Sequence, residues 1–226
     1  MTDLSNWKPR PRPERRVLEG RFVRLEPLDI ARHGDGLFSA STMEDADARF
    51  RYLPDVPPAS REAFRPWLEK AAASEDPLFF AVIDKVSGKV VGRQTLMRID
   101  AANGVVEIGN ILWSSLLSRT PGATEALYLF AAYAFDELGY RRFEWKCDNA
   151  NEPSRRAALR FGFVFEGIFR QHLVIKGRNR DTAWFSMLDL EWPDNRAALE
   201  AWLDPANFDG NGKQRRRLEE FRARTG

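Results

Sequence analysis

Short apolar segments bounded by turn residues recur along the chain and predict β-strands. Seven segments have this character. They cover residues 21–28, 78–83, 89–99, 105–113, 141–148, 168–175 and 182–190. The connection 84–88 carries Gly88 where a hairpin turn favours glycine, and the turn dipeptide Asn103-Gly104 precedes the strand at 105. Hairpins are therefore predicted near both ends of the strand series.

Four helices are predicted from apolar residues spaced three and four apart and from end signals. They cover the residues after the N-cap Asp29, then about 60–73, 124–138 and 153–161. Gly34 and Gly36 weaken the first helix, because glycine is a poor helix former. Gly139 and Gly162 supply the stop signals of the last two.

The order of the elements predicts one domain with extensions at both ends. It reads strand, two helices, three strands, helix, strand, helix and two strands. The unit formed by 105–113, 124–138 and 141–148 is a strand–helix–strand crossover, which makes its two strands parallel and the connection right-handed. Residues 1–16, rich in proline and basic residues, are expected to be a loose arm. The main domain spans 17–192, and 193–226 form a polar extension.

Composition excludes several classes of protein. The chain has 226 residues, of which 43% are hydrophobic and 30% charged, a balance that rules out global disorder. The longest apolar run, 126–135, is far shorter than the roughly 20 residues of a membrane span, and no secretory leader is expected from the first residues of the sequence. With one cysteine, Cys147, and two histidines, neither a disulfide nor a metal site is expected. We therefore expect a cytoplasmic protein.

The small net charge of +2 is unevenly distributed. Residues 1–24 hold seven Lys or Arg against three acids, and residues 205–226 hold six against three, so the middle of the chain is acidic. Basic ends alone do not favour a nucleic-acid partner. An acidic body suits a cationic substrate such as an amine, although this signal is weak.

The loop before the third predicted helix is a candidate anion site. Proline is favoured as the first helical residue, so Pro121 predicts that the amides of Gly122, Ala123 and Thr124 remain free. Free amides at the positive end of a helix dipole can hold a diphosphate, and Arg119 could add a charged contact. Every helix has such an end, so this feature does not identify a ligand by itself.

An ordered set of short motifs carries a resemblance to a known family. It consists of Val106-Glu107-Ile108-Gly109, Ala123-Thr124-Glu125-Ala126, Arg142-Phe143-Glu144, Asn151-x-x-Ser154 and Gly162-Phe163-x-x-Glu166-Gly167, ending at Arg170. With these motifs the chain resembles, over roughly 17–192, the GNAT superfamily of acyl-CoA-dependent N-acetyltransferases, in the branch of ribosomal-protein N-terminal (alanine/serine) acetyltransferases. The resemblance implies a mixed α/β (α+β) fold. Its largely antiparallel sheet has about seven strands, a splayed parallel pair and about four flanking helices.

The resemblance also implies acetyl-CoA as co-substrate, lying between strands 105–113 and 141–148. For the pantetheine, the implied contacts are the backbone groups of Ile111, Leu112 and Trp113. For the diphosphate, they are Arg119, Thr120, Gly122, Ala123 and Thr124. Further implied contacts with the co-substrate are Asn151, Ser154 and Arg156. The phosphate loop departs from the family pattern. Counting from Arg119 puts Thr124 where a small residue is usual, whereas counting from Ser118 ends on Ala123. Both registers stay open.

Acetyl transfer to an amine needs a base, a group that stabilises the carbonyl oxygen and a proton for the leaving thiolate. Glu144 and Glu107 lie on the two strands that would flank the acetyl group and are the candidate bases. A backbone amide at 109–111 is expected to stabilise the oxygen. Ser154 could protonate the thiolate, as the family's serine at this place is thought to do. Cys147 is interpreted as a core residue.

Three hypotheses follow. The first is an acetyl-CoA-dependent N-acetyltransferase that acts by direct attack of a primary amine, either a protein N-terminus or a small compound. The second is a non-catalytic CoA-binding or protein-interaction module with the same fold. The third, less favoured, is a nucleic-acid-associated protein that uses its basic ends. Edge strands of the final hairpin would allow a homodimer.

Overall fold

The computed structural model describes residues 3–222, which form one eight-stranded sheet with the order β1-β2-β3-β4-β5-β6-β8-β7. The strands are β1 (Leu18–Glu19), β2 (Val23–Pro27), β3 (Leu78–Asp84), β4 (Val90–Asp100), β5 (Val105–Trp113), β6 (Arg142–Asp148), β7 (Val164–Ile175) and β8 (Arg178–Leu188). Every neighbouring pair is antiparallel except β5 and β6. The expected mixed, largely antiparallel sheet with one parallel pair is confirmed.

Six α-helices accompany the sheet where about four were expected. They are α1 (Ile30–Ser41), α2 (Ala46–Phe50), α3 (Arg61–Ala73), α4 (Pro121–Ala132), α5 (Glu152–Phe161) and α6 (Trp192–Leu203). A π-helical turn, Tyr133–Glu137, continues α4, and two 3-10 turns follow α6. None of the helices within 3–222 has the length and apolarity to cross a membrane.

Two apolar clusters cover opposite faces of the sheet. Phe79 belongs to the smaller cluster with α1 and α3, whereas its neighbour Phe80 belongs to the larger cluster with α4, α5 and α6. The side chains of successive strand residues point to opposite faces of the sheet, so the two clusters lie on opposite faces. Gln94, fully buried on β4, ties the larger layer to the sheet. Its amide donates to the carbonyl of Ala126 in α4 (2.8 Å) and accepts from the Trp113 indole (3.1 Å).

Several element boundaries differ from the predictions. The first predicted strand, 21–28, is confirmed as the shorter β2 (Val23–Pro27), and an additional short strand, β1 (Leu18–Glu19), precedes it across a turn at residues 20–22, while β7 begins at Val164, four residues before the predicted start. Helix α4 begins at Pro121, three residues before the predicted start, since the proline occupies the first turn. The connection predicted at 176–181 is a two-residue turn. Lys176 and Gly177 both have positive φ (52° and 71°), which suits a tight hairpin.

The N-terminal arm is docked rather than loose. The Trp7 indole donates to the carbonyl of Ala102 (2.7 Å), and the Arg10 amide donates to that of Ala101 (2.8 Å). Further along, the Glu14 amide donates to the Tyr133 hydroxyl (2.8 Å). The prolines keep this segment extended, while its side chains and amides fix it to the body.

The segment expected to be a polar extension contains core residues. Trp192, Leu199 and Trp202 of α6 are buried, and the Trp192 indole donates to Asp136 at the end of the α4 run (2.7 Å). Leu218 is fully buried further along. Most of the extension therefore packs as part of the domain, and the termini at 1–2 and 223–226 lie outside the described residues.

Candidate functional site

The two parallel strands separate after a short common stretch. Pairing between β5 and β6 covers four positions, from Val105 with Arg142 to Ile108 with Trp145. Beyond this point β5 stays paired with β4 and β6 stays paired with β8. The two strands thus form a fork, which we call the β5–β6 fork, as the splayed pair predicted.

A bulge lies at the base of the fork. The β4–β5 register pairs Thr95 with Gly109 and Arg93 with Leu112, so one residue of β4 opposes two of β5. Asn110, inside the bulge, has a φ of 48°, and the Thr95 hydroxyl donates to the carbonyl of Gly109 (3.0 Å). A bulge bends its strand and leaves one residue outside the ladder. In this sheet, the bulge bends β5 at the position where β5 separates from β6.

A cavity of about 440 Å³ opens from the fork. Its walls come from β5, β6, the start of α5, the loop after α2 and the β7–β8 hairpin. Six residues predicted to act in catalysis or co-substrate binding line it. They are Glu107, Ile111, Leu112, Trp113, Asn151 and Ser154. The remaining seven, which do not line it, are Glu144, Arg119, Thr120, Gly122, Ala123, Thr124 and Arg156.

The start of α4 forms part of the predicted anion site. Thr120 is the N-cap residue, but its hydroxyl donates to the carbonyl of Leu117 (2.6 Å) and does not cap the helix. The Ala123 amide donates to the Thr120 carbonyl (3.2 Å), so the expectation that it stays free is corrected. The amide of Gly122 has no acceptor within residues 3–222, whereas Thr124 is the fourth helical residue, whose amide belongs to the hydrogen-bond ladder of the helix itself, so the expectation of a free amide is corrected there too.

The side chains around this anion site differ in their exposure to solvent. Arg119 is exposed and has a φ of 66°, whereas Thr124 is buried and accepts a hydrogen bond from the Arg160 guanidinium (3.0 Å). Arg156 is exposed and pairs with Glu152 (3.3 Å) on its own helix. Arg160, four residues further along α5, is a cation at this anion site that the sequence interpretation did not predict.

The two candidate bases are coupled through one lysine. Glu107 and Glu144 are register partners on β5 and β6, and both are buried. The Lys146 ammonium lies 3.0 Å from Glu107 Oε2 and 2.7 Å from Glu144 Oε2. Lys146 follows Glu144 by two residues, so strand alternation places it on the same face. That spacing was the sequence signal for it.

The two carboxylates differ in their surroundings. Burial raises the pKa of Glu107 above its ordinary value, while Lys146 and Arg98 act in the opposite direction. Glu144 lies outside the cavity, and the Arg142 guanidinium contacts its other oxygen (2.7 Å). Glu107 therefore combines access to the cavity with a pKa above that of an ordinary glutamate.

Ser154 stands beside the fork with its proton available. The Trp145 indole donates to Ser154 Oγ (3.0 Å), so the hydroxyl hydrogen can be donated elsewhere, with the Cys147 thiol as a neighbouring acceptor. Asn151 caps α5 by accepting the Ser154 amide (3.2 Å), so it fixes where that hydroxyl lies. Burial raises the pKa of the Cys147 thiol, which keeps it protonated and poorly nucleophilic, in line with a core residue.

Contacts between distant segments close the other side of the cavity. The Tyr52 hydroxyl, in the loop after α2, donates to the carbonyl of Ala150 (3.0 Å), and Lys176 in the hairpin turn donates to that of Phe50 (2.8 Å). His172 lines the same region and contacts Thr182 Oγ1 (2.9 Å). Trp67 lies away from this cavity and stacks on Phe64 against the smaller core cluster.

Comparisons with known proteins agree with this geometry. A family model described as "Acetyltransferase (GNAT) domain" matches residues 23–164. A solved structure of a GCN5-related N-acetyltransferase from Brucella melitensis is similar throughout. It is 66% identical, with 96% of this chain and 99% of that chain covered and a TM-score of 0.96.

Two curated relatives are similar over about half of the chain. "Uncharacterized N-acetyltransferase p20" of Bacillus licheniformis is 33% identical over 113 residues, 50% of this chain and 63% of that protein. "Putative ribosomal N-acetyltransferase YdaF" of Bacillus subtilis (strain 168) is 33% identical over 106 residues, 46% of this chain and 57% of that protein. The chain thus spans less than two thirds of either relative's length. Since the family model covers more than half of the sequence and includes both strands of the fork, the chain belongs to the GNAT acetyltransferase family.

Proposed function

We propose that the protein is a cytoplasmic N-acetyltransferase that transfers an acetyl group from acetyl-CoA to a primary amine. The observation that carries this proposal is the β5–β6 fork, which opens into a cavity that contains the buried carboxylate of Glu107. A strand pair that separates offers unpaired backbone groups to an extended ligand. A base beside it can take the proton of an amine.

The residues of the fork and of the α4 start fit acetyl-CoA. The backbone at Ile111 and Leu112 would hold the pantetheine, whereas the Trp113 carbonyl is already bound by the Arg49 guanidinium and the Ser118 hydroxyl. The free amide of Gly122, with the charged side chains of Arg119 and Arg160, would hold the diphosphate. When bound, acetyl-CoA supplies the activated acetyl thioester.

Glu107 is proposed as the general base, directly or through a water molecule. Burial raises the pKa of this carboxyl above its ordinary value, while Lys146 and Arg98 favour its ionised form. Glu144, the other candidate, is assigned the role of anchoring Lys146. Backbone amides of the bulge at 109–111 would stabilise charge on the acetyl oxygen. The hydroxyl proton of Ser154 would go to the leaving sulfur.

The acceptor is proposed to be a protein N-terminus or a small amino compound. The name of the Bacillus subtilis relative, which refers to ribosomal N-acetylation, supports the first class. The alternative function is a CoA-binding or protein-interaction module without turnover. The two functions share the fork but differ in whether Glu107 and Ser154 act on a substrate.

Thermal unfolding with acetyl-CoA or free CoA, followed by an acetylation screen over an amine panel, tests the proposal. A ligand at 100 times its Kd stabilises the fold by about 2.7 kcal/mol, so saturating acetyl-CoA should raise the melting temperature. We expect Glu107→Gln to keep this shift and lose turnover. Stabilisation without acetylation of any amine would favour the binding module, and an unchanged melting curve would contradict both functions.

A further inference from the structure

We propose that the acceptor amine also carries an anionic group, a carboxylate or a phosphate, that is bound by the guanidinium of Arg180. This inference rests on the proposed acetyl transfer and specifies its substrate class. Arg180 lies on β8, where the register pairs it with Leu173 of β7, and both residues line the cavity. The neighbouring residue Asp181 accepts the amide of Asn149, which fixes this part of β8 beside the end of β6.

Charge compensation separates Arg180 from the other cations of the cavity. Arg49 pairs with Asp45 of its own helix turn, and Arg98 lies 3.2 Å from Glu107. Lys146 contacts both Glu107 and Glu144. In the part of the chain that the structure describes, Arg180 has no carboxylate within ion-pair distance.

The hydrogen bonds of Arg180 are also incomplete. Its Nε is buried and has no acceptor within residues 3–222. A buried donor without a partner costs free energy, and a charged one costs more than a neutral one. A ligand oxygen in the cavity would supply the missing acceptor. The planar guanidinium can bind a carboxylate or phosphate through two parallel hydrogen bonds.

Two acidic side chains line the cavity. Glu107 is the proposed base, and Asp148, at the end of β6, accepts the amide of Ala150 (2.8 Å). An incoming ammonium group is attracted by these carboxylates, whereas an anion on the same molecule is attracted by Arg180. The cavity is therefore suited to a substrate with both charges. The two contacts would direct the amine towards Glu107 and the anion towards β8.

Matched acceptor pairs test this inference on the wild-type protein. The C-terminal amides of alanyl-aspartate and alanyl-asparagine differ by one carboxylate, the only one present, and phosphoethanolamine and ethanolamine differ by a phosphate. We expect kcat/KM to be about 10- to 100-fold higher for the anion-bearing member of at least one pair. The pair that shows this preference identifies the anion. Equal kcat/KM within both pairs, or a preference for the member without the anion, would overturn the inference.

Arg180→Gln should abolish the preference, and Arg180→Lys should keep part of it, because lysine retains the charge without the planar fork of donors. Arg178→Gln is the matched control, since Arg178 is exposed on the same strand and does not line the cavity. An Arg180→Gln variant that keeps the wild-type preference would contradict the inference. Reduced acetyl-CoA affinity with an unchanged acceptor preference would assign Arg180 to the co-substrate instead.

Calorimetry provides a second measurement that does not depend on turnover. In the presence of free CoA, the anionic acceptor should bind wild-type protein about tenfold or more tightly than it binds Arg180→Gln. If no amine is acetylated while this difference remains, the proposed function fails and the anion site stands. If amines are acetylated without this difference, the function stands and the anion site fails.

Discussion

Glu107 and Glu144 are register partners across the parallel strands, and the single ammonium of Lys146 lies within 3.0 Å of both. Arg98 contacts the first carboxylate and Arg142 the second, so charges of opposite sign alternate across β4, β5 and β6. Two like charges placed directly opposite each other would repel. Lys146 therefore offsets the repulsion between the two carboxylates and counteracts the rise that burial causes in the pKa of Glu107.

Replacing Lys146 should move the pH dependence of acetylation. The base acts when ionised, so activity falls as the pH drops through the pKa of Glu107. Lys146→Met removes a positive charge that favours ionisation, and the pKa of Glu107, already raised by burial, should rise further. We expect the acid limb of the kcat/KM profile to shift to higher pH by about one unit or more.

Lys146→Arg is the matched control, because it preserves the charge. Its acid limb should stay close to that of the wild type. A Lys146→Met profile with an unchanged acid limb would show that the lysine does not act on the base.

The two carboxylates should differ in their effect on turnover. Glu107→Gln is expected to lower kcat by about 10²- to 10⁴-fold, the usual contribution of a general base. Glu144→Gln leaves Glu107 in place and should lower kcat much less, while it destabilises the fold through loss of the Lys146 and Arg142 contacts. Steady-state kinetics together with denaturant unfolding separate the two effects. The assignment would be reversed by a larger kcat loss in Glu144→Gln.

Glu125 should be a major determinant of stability. Its buried carboxylate accepts the backbone amides of Arg21 (2.7 Å), Phe22 (2.6 Å) and Val23 (2.8 Å), and so joins the start of α4 to the β1–β2 turn. Glu125→Ala leaves these donors unpaired, and we expect the free energy of unfolding to fall by about 3 kcal/mol. Urea unfolding measures this change.

Glu137→Ala is the control for Glu125, because Glu137 forms only a half-exposed ion pair with Arg16. Its cost should be about 1 kcal/mol or less. Equal losses for the two variants would contradict the role given to Glu125.

Gly92 should be intolerant of a side chain. A Cβ at this position would lie 2.4 Å from the carbonyl oxygen of Leu112 and 3.1 Å from Cα of Trp113. Gly92→Ala therefore displaces the end of β5, which forms one side of the fork, and should cost about 1–3 kcal/mol. It should also reduce the thermal stabilisation by acetyl-CoA. Gly210→Ala, whose Cβ would meet no atom within 4 Å, should change neither quantity.

The edge strand β7 is where we expect two copies of the chain to associate. Val164, Ile168, Phe169 and Val174 are between 42% and 77% exposed on this strand, whose outer edge has no partner strand within residues 3–222. Exposed apolar edges favour pairing with another chain. Light scattering should give the mass of a dimer for the wild type and of a monomer for Ile168→Lys combined with Val174→Lys. A monomeric wild type would contradict this prediction.

The features that follow local rules could be predicted from the sequence. The crossover, its parallel strands and the position of α4 near Pro121 depend on periodicity, connection rules and one proline. Glu107 and Glu144 could be placed on facing strands for the same reason. The packing of the helix 192–203 against the domain could not be predicted, because its buried tryptophans are surrounded by charged residues and its partner, α4, is distant in sequence.

Features that depend on tertiary contacts could not be predicted. The pairing of Lys146 with both carboxylates needs the register of β5 and β6, and the isolation of Arg180 needs the positions of every acid around the cavity. The docking of the arm depends on Trp7, which packs against Gly104 and Arg141 far along the chain. The composition of residues 1–16 carries no information about these contacts and therefore predicted a loose arm.

The four-residue ladder between β5 and β6 has a consequence for the backbone itself. Beyond Ile108 and Trp145, the edges of the two strands that face each other have no strand partner within residues 3–222. Side chains bind the Trp113 carbonyl, and the other peptide groups that face the fork are left to solvent. An extended ligand that enters the fork would act as an intervening strand. The amide hydrogens of 109–113 that point into the fork, and not towards β4, should then exchange with deuterated water quickly in the free protein and slowly once the fork is filled, which would make this strand a reporter of occupancy.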